Sequence, residues 1–356
     1  MVRKKTKVVK VGNLLLGGDN PIRVQSMTKT PTVDVKRTLL QIYRLYKRGC
    51  ELVRVGVPDK ESALALGKIK KKSPIPIIAD IHFDYRLALI ALEQGVDKLR
   101  LNPGNIKNPK YISEIAKEAK ARGVPIRVGS NAGSLPQEIL RKYGGITPSA
   151  LVESALLEVK ILEEEDFHDI VISVKASSIP LTISAYRLLS EKVDYPLHVG
   201  ITEAGTLLSG SIRSSIGIGI LLSEGIGDTI RVSLSTNPEK EVDTAYEILR
   251  SLGLRERGIR VIACPMCART HFPVEKVARA IEKEFRDYPL NITIAVMGCE
   301  VNGPGEAKEA DLGITGSKNK VFLFKYGKII KEGSWDKIME ELRLELEKLK
   351  KEVKSN

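Results

Sequence analysis

Residues 76–101 read PIIADIHFDYRLALIALEQGVDKLRL and contain one strand–helix–strand unit. The β-branched run at its start predicts a strand, and Asp84 predicts the N-cap of a helix over 85–94. Gly95 predicts the end of that helix, and a second strand begins near Asp97. Strands that alternate with helices are typical of parallel sheets, because a parallel connection must cross over the sheet.

The same unit recurs along the first two-thirds of the chain. Candidate strands begin near Ile22, Glu51, Pro76, Asp97, Pro125, Asp169, Pro196 and Asp228. Helical patterns lie between them at Val35–Lys47, Tyr85–Gln94, Ile112–Arg122, Pro148–Glu165 and Glu239–Leu252. Eight such units in about 235 residues predict an α/β fold of the (β/α)8 TIM-barrel type over residues 1–253. A doubly wound open sheet is the alternative.

The regular alternation of predicted strands and helices ends after Gly253. Strand candidates IRVIA, NITIAVMG, DLGITG and KVFLFKY accompany helical patterns over 274–285 and 335–353. We therefore expect a smaller α/β domain over residues 259–356, joined to the barrel by a linker at 253–258.

Composition narrows the class of protein. The chain has 356 residues and a formal net charge of +13, which indicates an anionic partner. Aromatic residues make up 5% of the chain, which argues against a nucleic-acid stacking platform. No apolar run approaches the 18 or so residues of a membrane span, and the basic N-terminus lacks a signal-peptide core. We expect a cytoplasmic protein that binds neither membranes nor nucleic acid.

Several predicted barrel strands carry charges where buried strands should be apolar. These residues are Arg54, Asp80, His82, Arg100, Arg127, Lys175, Glu203 and Arg231. Since a buried unpaired charge is costly, so many near the carboxyl ends of strands indicate an active site. Structural ion pairs around the barrel rim, and a core role for His82, are the alternatives.

The two-residue period of a strand places polar partners beside these charges. Asn102 shares a face with Arg100, Ser233 shares one with Arg231, and Asn131 follows Arg127. Arginine suits bidentate phosphate binding, so this mouth predicts a substrate with two or more phosphate charges.

Three of the four cysteines lie in the predicted second domain. Their spacing is Cys264-x2-Cys267-x31-Cys299, and Glu306 follows after six residues. Structural zinc, a redox dithiol and an iron–sulfur cluster are all compatible with Cys-x2-Cys. Three cysteines would leave one iron of a [4Fe–4S] cluster open to an oxygen ligand. The fourth cysteine, Cys50, has the context of a small buried apolar residue.

The motifs together resemble the 4-hydroxy-3-methylbut-2-enyl diphosphate synthase family of the non-mevalonate isoprenoid pathway, in its short bacterial form. The resemblance covers essentially the whole chain. It is carried by VQSMTKT (24–30), ADIHFDYRLAL (79–89), KLRLNPGN (98–105), SNAGSL (130–135), SVKAS (173–177), GITEAG (200–205), RVSLS (231–235), CPMCART (264–270) and MGCEVNGPGEA (297–307).

The resemblance implies a cofactor, a substrate and roles for residues. A [4Fe–4S] cluster would be held by Cys264, Cys267, Cys299 and Glu306. The implied substrate is 2-C-methyl-D-erythritol 2,4-cyclodiphosphate, whose ring is opened with two electrons and two protons. Substrate-binding positions are Arg54, Arg100, Asn102, Arg127, Asn131, Lys175, Arg231 and Ser233. Glu203, Asp80 and His82 would be catalytic, with Glu203 the first candidate proton donor, and Glu306 would leave the iron that takes a substrate oxygen.

The resemblance also implies partners. The last barrel helix should end at the face opposite the mouth, so the cluster domain of the same chain would have to cross the height of the barrel. The family solves this with a head-to-tail homodimer that shares its active site between subunits. Ferredoxin or flavodoxin would supply the electrons. An iron–sulfur hydro-lyase that needs no reductant, and a nonenzymatic zinc module that binds nucleic acid, are the rival classes.

Overall fold

The chain folds into two compact units, Met1–Arg255 and Glu256–Asn356. A computed structural model describes residues 3–102, 105–106, 108–299, 310–316 and 320–355. Within these ranges no helix is both long and apolar enough to cross a membrane.

The first unit is built around eight parallel strands. A short hairpin, β1 (Val9–Val11) and β2 (Leu14–Leu16), comes before them. The eight strands are β3 (Arg23–Met27), β4 (Leu52–Val57), β5 (Ile77–Ile81), β6 (Lys98–Leu101), β7 (Ile126–Asn131), β8 (Ile170–Lys175), β9 (His198–Val199) and β10 (Thr229–Ile230). Their spatial order is β8-β7-β6-β5-β4-β3-β10-β9, and a parallel bridge between Ile172 and Leu197 brings the two ends together. This nearly closed ring confirms the predicted TIM barrel and excludes the open sheet.

Helices cover the outside of the ring. They are α1 (Val35–Lys47), α2 (Lys60–Lys72), α3 (Tyr85–Glu93), α4 (Pro109–Arg122), α5 (Gln137–Tyr143), α6 (Pro148–Glu164), α7 (Ile179–Lys192), α8 (Leu207–Ser223) and α9 (Pro238–Ser251). The predicted caps hold three of them: Asp34, Asp84 and Thr147 each accept a hydrogen bond from a backbone N–H of the first turn. Cys50 is buried, as predicted, in the apolar layer between strands and helices.

The β1–β2 hairpin seals the amino-terminal end of the barrel, which the sequence analysis did not foresee. Val11 and Leu16 are fully buried and pack against Leu52, Ile78 and Val171 from inside the barrel. Burying a side chain of this size stabilises the fold by about 1.5–3 kcal/mol. The barrel interior is therefore apolar at this end.

In the residues that the structure describes, the second unit has a five-stranded mixed sheet and two helices. Its strands are β11 (Arg260–Ala263), β12 (Thr293–Val296), β13 (Leu312–Gly316), β14 (Val321–Lys325) and β15 (Lys328–Gly333), hydrogen-bonded in chain order. The first three are parallel and the last three antiparallel. Helices α10 (Val274–Glu284) and α11 (Trp335–Ser355) bury Ile281, Leu342 and Leu346 in the core of this unit.

Candidate active site

Strand register brings the predicted charges together inside the barrel. Residues that are Cα partners on neighbouring strands form rows across the sheet. One row contains Met27, Arg54, Ile78 and Lys98. A second row contains Gly56, Asp80, Arg100, Arg127 and Val171. Partners in register share a face of the sheet, and Ile78 and Val171 face inward against the hairpin. Both rows therefore point into the barrel.

Asp80 is the acidic centre of this interior. Its carboxylate lies 3.5 Å from Arg54 Nε, 3.2 Å from Arg100 Nη1 and 3.3 Å from His82 Nε2, and the residue is 2% exposed. Burial alone would raise the pKa of Asp80. The pKa is nevertheless held well below its usual range by the charge of Arg54, the hydrogen bond with His82 and the charge of Arg100. Asp80 is therefore a carboxylate that orients two guanidinium groups.

Arg127 and Lys175 add buried positive charge that Asp80 does not neutralise. Arg127 donates to Ser173 Oγ at 2.9 Å, while its Nε and Nη2 have no hydrogen-bond partner within the described part of the chain. Burial, followed by the charges of nearby arginines, lowers the pKa of Arg127 and of Lys175 well below the usual values. A site with such an excess of cations attracts a polyanion.

Arg231 is held by a second buried carboxylate. Its Nη2 lies 3.5 Å from Glu241 Oε2 of α9, and Glu241 also accepts from Ser26 Oγ at 3.0 Å. Burial lowers the pKa of Arg231 to about 10, so it remains a cation at neutral pH. Lys29 Nζ completes this group, 3.1 Å from Glu241 Oε1.

The remaining predicted residues lie at the mouth. Asn102 donates to Ser134 Oγ at 3.0 Å, and Asn131, with its amide oriented to suit its neighbours, accepts from Arg100 Nη2 at 3.0 Å. The His82 side chain is 44% exposed, so it is not a core histidine. Ser233 is partly buried, beyond the end of β10.

The carboxyl group of Glu203 is more exposed to solvent than the sequence led us to expect. It lies in an exposed loop of this chain, so the barrel alone does not provide the low-dielectric pocket expected around its carboxyl group. Its backbone has φ +51°, a left-handed conformation that a non-glycine residue adopts at some cost.

Two glycines make room for the cations. A Cβ atom at Gly200 would lie 2.8 Å from Lys175 Nζ, and one at Gly129 would lie 2.9 Å from Arg100 Nε. A larger residue at either position would force these side chains to shift.

The three predicted cluster cysteines lie at one edge of the second unit. Cys264 directly follows β11, and its N–H donates to Val296 O at the end of the neighbouring parallel strand β12. Cys299 follows β12 by three residues. The His271 N–H donates to Gly298 O at 3.0 Å, which fastens the Cys267 loop to the Cys299 segment.

Arg269 links the three thiols electrostatically. It hydrogen-bonds to Cys267, and the charges of Cys267, Cys299 and Cys264 all act to raise the pKa of Arg269. The hydrogen bonds from Arg269 lower the pKa of Cys267 and so favour the thiolate, the form that binds metal. The donor chemistry fits an iron–sulfur cluster.

The fourth predicted ligand, Glu306, lies outside the described residues. Within the described ranges, no three His, Cys, Asp or Glu side chains are placed to hold a single metal ion. The cluster and its ligand set thus stay predictions.

Sequence reasoning missed several polar groups inside the barrel. Lys98, Gln25 and His198 are almost completely buried, and Glu241 anchors Arg231 from a helix. Lys98 could have been found, because it shares the inward face of β6 with Arg100 and Asn102. No local signal distinguished the other three.

Comparison with known proteins gives consistent matches. The family model described as the GcpE TIM-barrel domain matches residues 6–246, and the GcpE protein C-terminal domain matches 260–348. The chain is 56% identical over 351 residues to a protein of Caldanaerobacter subterraneus subsp. tengcongensis, covering 99% of each. It is 53% identical to one of Ruminiclostridium cellulolyticum, covering 98% of each. Both relatives are named 4-hydroxy-3-methylbut-2-en-1-yl diphosphate synthase (flavodoxin).

A solved structure supports the fold alone. A truncated form of 3-deoxy-D-arabino-heptulosonate 7-phosphate synthase from Thermotoga maritima aligns with a TM-score of 0.51 at 13% identity. The alignment covers 70% of this chain and 95% of that one.

The role of Asp80 predicts a pH-dependent loss of stability. Asp80→Asn leaves two buried guanidinium groups unpaired and should lower the free energy of unfolding at pH 7 by about 3–5 kcal/mol. Because the folded pKa of Asp80 is depressed, its stabilisation is present above the unfolded pKa of about 4 and is lost as the pH falls below it.

Denaturant unfolding at several pH values checks this. The gap between wild type and Asp80→Asn should shrink between about pH 5 and pH 3. Asp34→Asn is the matched control, because asparagine caps α1 as well as aspartate does. A gap that stays constant with pH would contradict the assignment.

Proposed function

We propose, since this chain belongs to the GcpE family, that it converts 2-C-methyl-D-erythritol 2,4-cyclodiphosphate into 4-hydroxy-3-methylbut-2-en-1-yl diphosphate. Two electrons and two protons enter, the cyclic diphosphate ring opens, and one water leaves. One structural observation carries the proposal: Arg54, Arg100, Arg127, Lys175 and Arg231 converge in one barrel whose carboxylates cannot neutralise them.

The buried cations bind the substrate through its two phosphate groups. Guanidinium groups offer paired N–H donors to phosphate oxygens, and removal from water strengthens each contact. Asp80 and Glu241 fix three of the guanidinium groups before the substrate arrives. The same cations stabilise the charge that develops on the departing phosphate oxygen when the ring opens.

Glu203 and His82 are the candidate proton donors. The depressed pKa of Asp80 keeps it ionised, which suits a positioning role better than proton donation. His82 lies at the mouth, and its Nδ1 is 3.4 Å from Asn105 Nδ2. Glu203 is exposed in the single chain, so we expect the closed assembly to cover it.

Cys264, Cys267, Cys299 and Glu306 would hold a [4Fe–4S] cluster. When bound, such a cluster supplies the electrons one at a time. Flavodoxin is the proposed electron donor, because the curated relatives carry it in their names. The net charge of +13 suits an acidic donor protein.

We expect two chains to form a homodimer in which the cluster unit of one serves the barrel of the other. This part of the proposal rests on the family resemblance.

Loss of a cluster ligand should abolish the colour and the activity together. Anaerobically purified protein should contain iron and sulfide and turn over the cyclodiphosphate only with a reductant. Cys264→Ser should lose most of the iron while keeping its circular dichroism spectrum. Cys50→Ala is the control, since Cys50 is buried in the barrel unit. A colourless wild type, or reductant-independent turnover, would overturn the proposal.

Removal of the candidate proton donor should slow turnover without weakening binding. We expect Glu203→Gln to lower kcat by about 10²–10⁴-fold, the usual contribution of a general acid, and to change KM little. The iron content should stay at the wild-type value. Glu93→Gln, an exposed change at the end of α3, is the control. Normal turnover by Glu203→Gln would remove it from the mechanism.

A mixed dimer tests whether subunits share the site. Arg127→Ala disables the barrel and Cys264→Ser disables the cluster, so each homodimer should be inactive. Random mixing makes half of the dimers hybrid, each with one intact composite site, and should restore about a quarter of wild-type activity. No recovery, with both parent proteins folded, would mean that each chain uses its own cluster.

A further inference from the structure

Deep inside the barrel, several polar groups are buried without a protein partner. Among the residues that the structure describes, Lys98 Nζ, His198 Nε2 and both amide atoms of Gln25 have no hydrogen-bond partner, and neither do Arg127 Nε and Nη2. All four residues are at most 2% exposed. Buried polar groups are nearly always satisfied, so a cluster of unsatisfied ones needs an explanation.

Strand register places these groups on the inner face of the ring. Lys98 is the Cα partner of inward-facing Ile78 and lies two residues before Arg100, about 6.6 Å nearer the amino-terminal end. Gln25 is paired in register with Leu52, which packs against the sealing hairpin. His198 lies on β9, and its Nδ1 is 2.6 Å from Thr229 Oγ1.

The same groups interact electrostatically. Burial, followed by the charges of Lys175, Arg127 and Lys98, lowers the pKa of His198 well below its usual value. Burial and then the charge of Arg127 lower the pKa of Lys98 to about 7. Lys98, Arg127 and His198 therefore lie within range of one another's charge.

The described residues offer Lys98 no ion pair. The central carboxylate, Asp80, already contacts Arg54, Arg100 and His82. A buried ammonium without a counter-ion destabilises the folded protein. A ligand that brings acceptor oxygens and negative charge would satisfy Lys98 and the free edge of Arg127 together.

We propose that Lys98 is a further phosphate-binding residue, forming with Arg127, His198 and Gln25 a lower anion subsite that takes a phosphate oxyanion. We call it lower because Lys98 comes before Arg100 on β6 and so lies nearer the amino-terminal end of that strand. A phosphate group of the substrate proposed above is one source of the oxyanion, and free inorganic phosphate is the other; the inference rests on the proposed function only for the first source.

Removal of the Lys98 charge should have opposite effects on stability and on anion binding. Full-length protein is purified anaerobically, and its thermal unfolding is followed with and without pyrophosphate at constant ionic strength. Below about pH 7, where Lys98 is protonated, Lys98→Met should raise Tm in the absence of anion, because it removes a buried charge. It should weaken pyrophosphate binding about 10- to 100-fold, as expected for a lost hydrogen bond to a charged group.

Lys68→Met is the matched control, because it removes the same charge from an exposed position of α2 and should change neither quantity. Lys98→Gln serves as a second variant and should weaken pyrophosphate binding in the same way. Wild-type affinity for pyrophosphate in a folded Lys98 variant would overturn the proposal. Failure of both variants to fold would also overturn it, since the fold itself would then require the ammonium group.

The source of the oxyanion follows from two further measurements. A parallel rise in KM for the cyclodiphosphate supports a substrate phosphate, whereas weakened binding of inorganic phosphate with unchanged KM supports the free ion. The pyrophosphate measurement needs no turnover. Its result therefore remains interpretable if the proposed reaction is not observed.

Discussion

An excess of buried positive charge is the constraint around which the barrel is organised. Arg100, Arg127, Lys98 and Lys175 are all less than a tenth exposed. Asp80 and Glu241 form ion pairs with the interior arginines, but they do not balance all of these cations. Such a concentration is unfavourable in the protein alone. It is tolerated because the apolar layer between strands and helices supplies the stability, and the proposed polyanionic substrate would compensate the charge.

Residues that stabilise the barrel and residues that could bind a ligand lie at different heights along its axis. The amino-terminal end is closed by the apolar hairpin, with Val11 and Leu16 completely buried. Gln25 and Lys98 lie nearer this end of their strands, and Asp80 and Arg100 lie nearer the carboxyl ends. Access for a ligand is therefore at the carboxyl ends of the strands, where the loops can carry His82 and Glu203.

In the second unit, the ends of parallel strands position cysteine thiols and not phosphate-binding cations. Cys264 and Cys299 follow two adjacent parallel strands, so the register of β11 and β12 brings their segments together across a gap of 34 residues in sequence. Arg269 then places a positive charge among the three thiols. Both candidate sites thus lie towards the carboxyl ends of parallel strands, because the loops that follow neighbouring strands come together there.

Local chemistry was sufficient to predict much of this protein from its sequence. The barrel was predicted from helix caps such as Asp84 and Thr147 and from the alternation of strands and helices. The convergence of Arg54, Asp80, Arg100 and Arg127 was predicted from charges in otherwise apolar strands. The tertiary structure alone decided which of these charges are paired. It also showed the sealing hairpin, the role of Glu241, the exposure of Glu203 and the isolation of Lys98. These features depend on contacts between residues distant in sequence, whereas period and composition report only the face on which a residue lies.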